Sequence, residues 1–202
     1  MSKRIIFLVV VVLCISIVSS GACYAFVILS KEDALKAVLG AGSEVVVESK
    51  DLTGEKLAKV KERLGGELVH HEAQSESAKV EARTTIDFYF GKKNGQKSGV
   101  AIIDEEPGKW GPVVFIIGLD LEARVRTVSV MSYQEKRGRP IARRSFLKQY
   151  QGKSSKSFLI VGKDITGISG ATVSSKAATF AVKKAIVLYE ELYLRQKAQM
   201  TK

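Results

Sequence analysis

The sequence predicts an α+β fold, a single domain with an antiparallel sheet flanked by helices, preceded by an N-terminal signal peptide or membrane anchor helix. Three observations predict it. Alternating or β-branched segments recur through the middle of the chain, each closed by turn residues. Capped, amphipathic segments stand on both sides of them. A basic-headed, uncharged run opens the chain.

Helical signals come first in the body. Ser30 is placed to cap a helix that Lys31-Glu32-Asp33 opens, with Asp33 at the capping-box position. Ala34, Leu35, Ala37, Val38 and Leu39 supply its apolar stripe, and Gly40 and Gly42 end it. Val45–Val47 reads as a short strand. Thr53–Leu64 reads as a helix with Leu57, Val60 and Leu64 on one face and Gly65-Gly66 closing it.

Strands follow. In Arg83–Phe90, Thr84, Ile86, Phe88 and Phe90 share one face, and Thr85, Asp87 and Tyr89 the other. Asn94-Gly95 marks a hairpin turn, and Gly99–Asp104 returns. Asp104–Pro112 reads as a functional loop around Trp110. Val113–Leu119 is apolar enough for a central strand. Val125–Ser132 is read as a strand on its β-branched content, with Val128 and Val130 on one face and Val125, Thr127, Ser129 and Met131 on the other. Ile141–Tyr150 reads as a short helix with Phe146 and Leu147 inward. Val173 to about Lys197 is the longest helix of the body. Its Ala177, Ala181, Ala185, Leu188 and Leu192 stripe faces in; Lys176, Lys183, Lys184, Glu190 and Glu191 face mostly out.

Lys3 and Arg4 precede an uncharged run from Ile5 to Ser30, in which small residues stand from Ser19 to Ala22. That order is the one of an export signal, with a cut after Ala22 or Ala25. The run is also long enough to span a bilayer, so residues 1–25 are expected to be a signal peptide or an anchor, and 26–202 the domain. Either way the body lies outside the cytoplasm, periplasmic or held at the outer face of the membrane.

The 202 residues carry a formal charge of +11. The basic residues form no single stripe, and no zinc-finger spacing or aromatic RNA-binding signature accompanies them, so nucleic acid is not the expected partner. A surface facing an anionic membrane accounts for the charge. Cys14 and Cys23 are the only cysteines, both in the apolar run. The body therefore has no thiolate metal site, iron–sulfur cluster or c-type haem, and redox chemistry would need an organic cofactor. His70-His71 beside Glu72 lacks further ligands and reads as surface, so no metal is expected. No nucleophile–base or carboxylate pair is placed for catalysis, so no catalytic residue is assigned.

The stretch that carries chemistry is Gly167-Ile168-Ser169-Gly170-Ala171-Thr172-Val173-Ser174-Ser175, at the mouth of the last helix. Gly170 and Ala171 let a bulky group approach the backbone. Ser169, Thr172, Ser174 and Ser175 offer four hydroxyls, and the helix start supplies unpaired N–H groups and a positive dipole end. These residues suit a phosphate. They suit equally a plain helix cap, with Thr172 or Ser174 satisfying backbone donors.

Ser-Gly-Ala-Thr before an amphipathic, alanine-rich helix resembles the signature of the FMN-binding domain family. That family includes the small flavin subunits of the Rnf complex and of the sodium-translocating NADH:quinone oxidoreductase. The resemblance covers roughly Ala82–Glu190. It takes in the Gly108-Lys109-Trp110-Gly111-Pro112 loop and Phe146–Lys153. It implies FMN joined through its phosphate to the hydroxyl of Thr172 by a flavin transferase. Ser169, Gly170, Ala171, Ser174 and Ser175 would surround the phosphate. Trp110 suits packing against the ring system and suits equally a core or rim place on a tight loop; with Gly111 it is counted among the cofactor-binding residues. The family usually has an aspartate three residues before the motif serine; here that position is Thr166, and the nearest acid is Asp164.

The expectation is an extracytoplasmic FMN-binding electron-transfer protein exchanging electrons with a membrane-associated redox partner. Two other functions fit the same residues. One is a non-enzymatic sensory or assembly module of a membrane complex. The other is a flavin-dependent reductase of a small extracytoplasmic substrate.

Overall fold

A computed structural model describes residues 26–70, 80–134 and 139–195. The expected export or anchor segment 1–25, His71-Glu72 and most of Glu135–Arg139 lie outside them.

Six strands form one antiparallel sheet in the order β1-β6-β5-β4-β3-β2. β1 is Phe26–Val27, β2 Glu44–Asp51, β3 Thr85–Lys93, β4 Gln96–Pro107, β5 Pro112–Leu119 and β6 Val125–Tyr133. Thus β2 to β6 run as a meander. β1 returns to the far edge and pairs with Ser132 and Tyr133. The end of the uncharged run therefore belongs to the sheet: Ile28 and Leu29 both donate backbone N–H to Met131 O, at 2.8 and 3.2 Å.

Helix α1, Lys31–Leu39, crosses one face. Ser30 caps it as expected, its Oγ accepting from Asp33 N at 3.1 Å. Gly40, at φ 97°, ends it. Ala34, Leu35 and Leu39 bury against Tyr89, Ala101, Ile116 and Met131; Ala37, expected in the stripe, is exposed. The helix sits low because the sheet beneath is small. A Cβ on Gly118 would collide with Val38 Cγ1, and one on Gly91 would lie 3.1 Å from Leu39 Cβ.

The opposite face carries the main core. Helix α2, Gly54–Leu64, contributes Val60 and Leu64. Short turns span Arg139–Ala142, Arg144–Leu147 (α3) and Lys148–Tyr150, in place of one continuous helix, and bury Ile141, Phe146, Leu147 and Tyr150. Helix α4, Thr172–Tyr189, lies across β4 and β5 and ends in a π turn, Glu190–Leu194. With both faces covered, β5 reads as an unbroken apolar run for a physical reason: Phe115 and Ile117 enter one core, Ile116 the other.

Two expectations are corrected by sheet geometry. In β6, Val125 joins Val128 and Val130 in the larger core, and Thr127 and Ser129 do not. Its register against β5 shifts at Gly118/Leu119 and again at Val114/Phe115. Each shift inserts a residue, so the strict period of two fails. The Asp104–Pro112 loop shrinks to residues 108–111, because Asp104–Pro107 continues β4, with Pro107 opposite Pro112. The hairpin at Asn94-Gly95 is as expected, with φ of 50° and 75° at its two central positions.

Candidate functional site

Helix α4 begins without a side-chain cap. Its N-cap is Ala171, which offers no oxygen beyond its backbone, and no acidic residue occupies the first turn. Neither Thr172 nor Ser174 stands at the N-cap position; both lie inside the helix, as its first and third residues. Thr172 is the first helical residue and its side chain is exposed. Ser169 is exposed too. The helix start leaves its leading N–H groups without intrahelical acceptors, which favours an anion there.

The four hydroxyls separate into two pairs. Ser174 and Ser175 are buried. Ser175 Oγ accepts from Ile168 N at 3.0 Å and donates to Ala171 O at 2.9 Å, so it fastens the loop onto the helix. One turn further, Thr179 Oγ1 donates to Ser175 O at 2.8 Å and meets Tyr150 Oη at 2.9 Å. Ser169 and Thr172 are exposed.

The loop is shaped from below. Gly170 has φ of 76°, a left-handed turn residue, and a Cβ there would meet nothing within 4 Å. The space beside Gly170, two residues before Thr172, is thus open. Gln149 grips the segment before the motif: its Oε1 accepts from Thr166 N at 2.8 Å and its Nε2 donates to Thr166 O at 3.1 Å. Asp164 is committed elsewhere. Its carboxylate accepts from Leu159 N and Ile160 N, at 3.2 and 2.9 Å, and pairs with Lys153 at 2.9 Å. These backbone donors and Lys153 outweigh burial and hold its carboxyl below the usual range. Asp164 therefore organises the turn before Thr166 and does not stand in for a carboxylate at that position.

Trp110 and Gly111 are on the β4–β5 hairpin, a different element from the α4 entrance. Trp110 is 46% exposed, with Lys109 Nζ 5.3 Å from its ring centroid. Gly111 is buried, and a Cβ there would collide with Gln134 Cβ, so close packing alone demands glycine.

Sequence reasoning missed a buried ionic cluster. Lys184 is 7% exposed rather than outward, and Glu191 is 5% exposed, paired with Arg63. Lys184 Nζ bonds to Glu106, to Asp104 at 2.8 Å and to Leu68 O at 2.9 Å, while His70 N donates to Glu106 at 2.8 Å. Burial, then the charge of Asp104, raises the Glu106 carboxyl to about 8, against the pull of Lys184. A signal exists in the sequence: 184 follows 177 and 181 and precedes 188 at helical spacing, on the inward stripe. The cluster borders a cavity of about 310 Å³ where β3 and β4 diverge beyond the Phe88–Ile102 pair. Among the described residues no group of His, Cys, Asp and Glu is arranged to hold a metal.

Fold and site together define a small α+β domain that presents an exposed threonine at the entrance of a helix whose N-cap has no side-chain oxygen. Residues 108–187 match the FMN-binding domain. Three relatives are components of ion-translocating oxidoreductase complexes. One, from the Na(+)-translocating ferredoxin:NAD(+) oxidoreductase complex of Acetobacterium woodii, is 28% identical over 117 residues, covering 53% of this chain and 56% of that protein. Its counterpart from the proton-translocating complex of Clostridium ljungdahlii is 26% identical, covering 50% and 58%. The third, from the ion-translocating oxidoreductase complex of Aliivibrio fischeri, is 30% identical over 121 residues, covering 54% and 58%. The chain spans a little over half the length of these relatives. The crystal structure of Shewanella oneidensis NqrC shares the fold with a TM-score of 0.52 at 16% identity, over 78% of this chain and 86% of that one.

Proposed function

We propose that this chain is an FMN-bearing electron carrier, with FMN joined by a phosphoester to Thr172 Oγ1, serving as a subunit of a membrane oxidoreductase of the kind its relatives are named for. The observation that carries this reading is exposed Thr172, the first residue of a helix whose N-cap, Ala171, has no side-chain oxygen. The residues fit the group. The ester phosphate keeps a single negative charge and would lie at the positive end of α4, near the open space beside Gly170. Ser169 has a hydroxyl free to turn toward it. Ser175, Gln149 and Asp164 would keep the loop still while the modifying enzyme works.

Bound flavin supplies the redox step; the protein tethers it and shapes its surroundings. Trp110 is the aromatic proposed to approach the ring system. The location proposed is outside the cytoplasm, where a tether keeps the cofactor from diffusing away, and the partners are a flavin transferase during maturation and a membrane-associated redox protein afterwards. Among the described residues no helix is long and apolar enough to cross a membrane.

Co-expression with a flavin transferase, followed by intact-mass measurement, tests the reading. The mature chain is expected to carry one FMN ester on the peptide containing Thr172, and to stay fluorescent in a denaturing gel. A bare peptide would leave the sensory or assembly role. Turnover of a small acceptor without any membrane partner would favour a reductase.

A further inference from the structure

The segment from Gln151 to Asp164 has no part in the attachment chemistry, yet it is closely braced. Phe158 is 59% exposed and Ile160 is 50% exposed, while Leu159 between them is 5% exposed. Leu159 achieves this with φ of 50°, a left-handed conformation that a branched side chain rarely adopts. The turn is held by the Asp164 carboxylate, which binds Leu159 N, Ile160 N and Lys153. Val161 bridges to Ile165 and fills the space where a Cβ on Gly167 would come within 2.8 Å. Two large apolar side chains are therefore displayed on a rigid tip, at the cost of local backbone strain.

Cations surround the tip. Lys163 Nζ lies 3.2 Å from the Phe158 ring centroid, and Lys156 is exposed beside it. Residues 151–163 contain no acidic residue. The nearest acids are spent: Asp164 on Lys153 and the turn, and Glu190, which accepts from Ser155 Oγ, on Arg63.

We propose that this tip is a membrane-contact element, with Phe158 and Ile160 seated among the headgroups of an anionic bilayer and Lys156 and Lys163 against its phosphates. Charge complementarity favours anionic lipid, and basic residues beside exposed aromatic and aliphatic side chains are what binding in an interface plane requires. Size argues against a protein occupant. Two protruding side chains offer far less than the roughly 800 Å² per partner of a stable interface. The inference stands apart from FMN attachment, though the same loop leads directly into the Ser169–Thr172 motif and would hold that motif near the bilayer surface.

Tryptophan fluorescence in the full chain tests it. In a Trp110→Phe background, Phe158→Trp and, separately, Ile160→Trp report from the tip, and Val47→Trp reports from an equally exposed position on the β2 edge. Each is bound to vesicles of brominated phosphatidylcholine with equal parts phosphatidylglycerol. The tip reporters are expected to be quenched several-fold more than the Val47 reporter. The difference should shrink in high salt, and on changing Lys156 and Lys163 to Glu. Equal quenching at all three positions would overturn the proposal, whatever the apolar N-terminal run does. So would tip reporters that stay unquenched on lipid and respond only when membrane proteins are added, which would make the tip a protein-docking surface. Circular dichroism of each variant confirms that the fold is kept, and flavin loading is measured separately, in the chain that keeps Trp110.

Discussion

The amide of Gln149 brackets the main chain of Thr166, accepting from its N at 2.8 Å and donating to its O at 3.1 Å. One side chain from the turn after α3 thereby fixes the direction in which the chain enters the Ser-Gly-Ala-Thr motif. Gln149→Ala removes both bonds. At roughly 1 kcal/mol or less per exposed hydrogen bond, the fold should survive with a small drop in melting temperature. Flavin loading should fall several-fold, because the loop loses its fixed entry. Loading measured by mass against time, beside a melting curve, separates the two effects.

Thr172→Ala should abolish covalent flavin and leave stability within about 0.5 kcal/mol, as expected for an exposed position without a capping role. Thr172→Ser keeps a hydroxyl at the same place and should load at a reduced rate. Flavin that stays on the alanine variant through denaturing electrophoresis would move the attachment to another residue, with exposed Ser169 first in line.

Lys184 sits between Asp104 and Glu106 under α4. Lys184→Met would remove the cation between partly buried Asp104 and fully buried Glu106, a loss of about 3–5 kcal/mol once Glu106 is ionised. The loss should ease at lower pH, where the Glu106 carboxyl holds its proton. Urea midpoints at mildly acidic and mildly alkaline pH check this.

The parent chain has a related pH dependence. The Glu106 carboxyl is raised from 4.5 to about 8 in the fold, first by burial and then by Asp104. The folded state therefore binds its proton more tightly than the unfolded state does. The stability this contributes is fully present below about pH 4.5 and is lost as pH rises through about 8. Glu106→Gln should flatten the decline across that window. An unchanged slope in the glutamine variant would assign the decline to another group.

Gly118→Ala should cost about 1–3 kcal/mol, because its methyl would run into the stiff Val38 side chain and push α1 off the sheet. Val38→Ala in the same chain should recover part of that loss, which a double-mutant cycle would show.

Caps and turns are legible in the sequence because they are local. Ser30 before Lys31-Glu32-Asp33, Gly65 after Leu64 and Asn94-Gly95 each need only neighbouring residues to do their work. Phe88 and Phe90 share one face as the alternation predicts, because nothing interrupts β3 there. Val125 departs from the predicted face because the register shift at Gly118/Leu119 inserts Arg126 ahead of Thr127, and that shift arises from pairing with β5, which no window along the strand contains. The charge of Lys184 points outward while its position on the helix points inward, and position wins; the partners that make its burial tolerable are 78 and 80 residues away in sequence. At the site, the motif itself is visible in the sequence. The division of its hydroxyls is not, since it depends on Ser175 folding back to Ile168 and on Thr179 finding Tyr150.

A helix whose N-cap residue carries no side-chain oxygen starts at a weak point. Without an anion at the entrance, the opening turn of α4 should breathe more than the rest of the helix, exchanging its amide hydrogens sooner. Once an ester phosphate occupies the entrance, the same turn gains a permanent counterpart. Loading would then be readable as resistance to proteolytic nicking near Ser169.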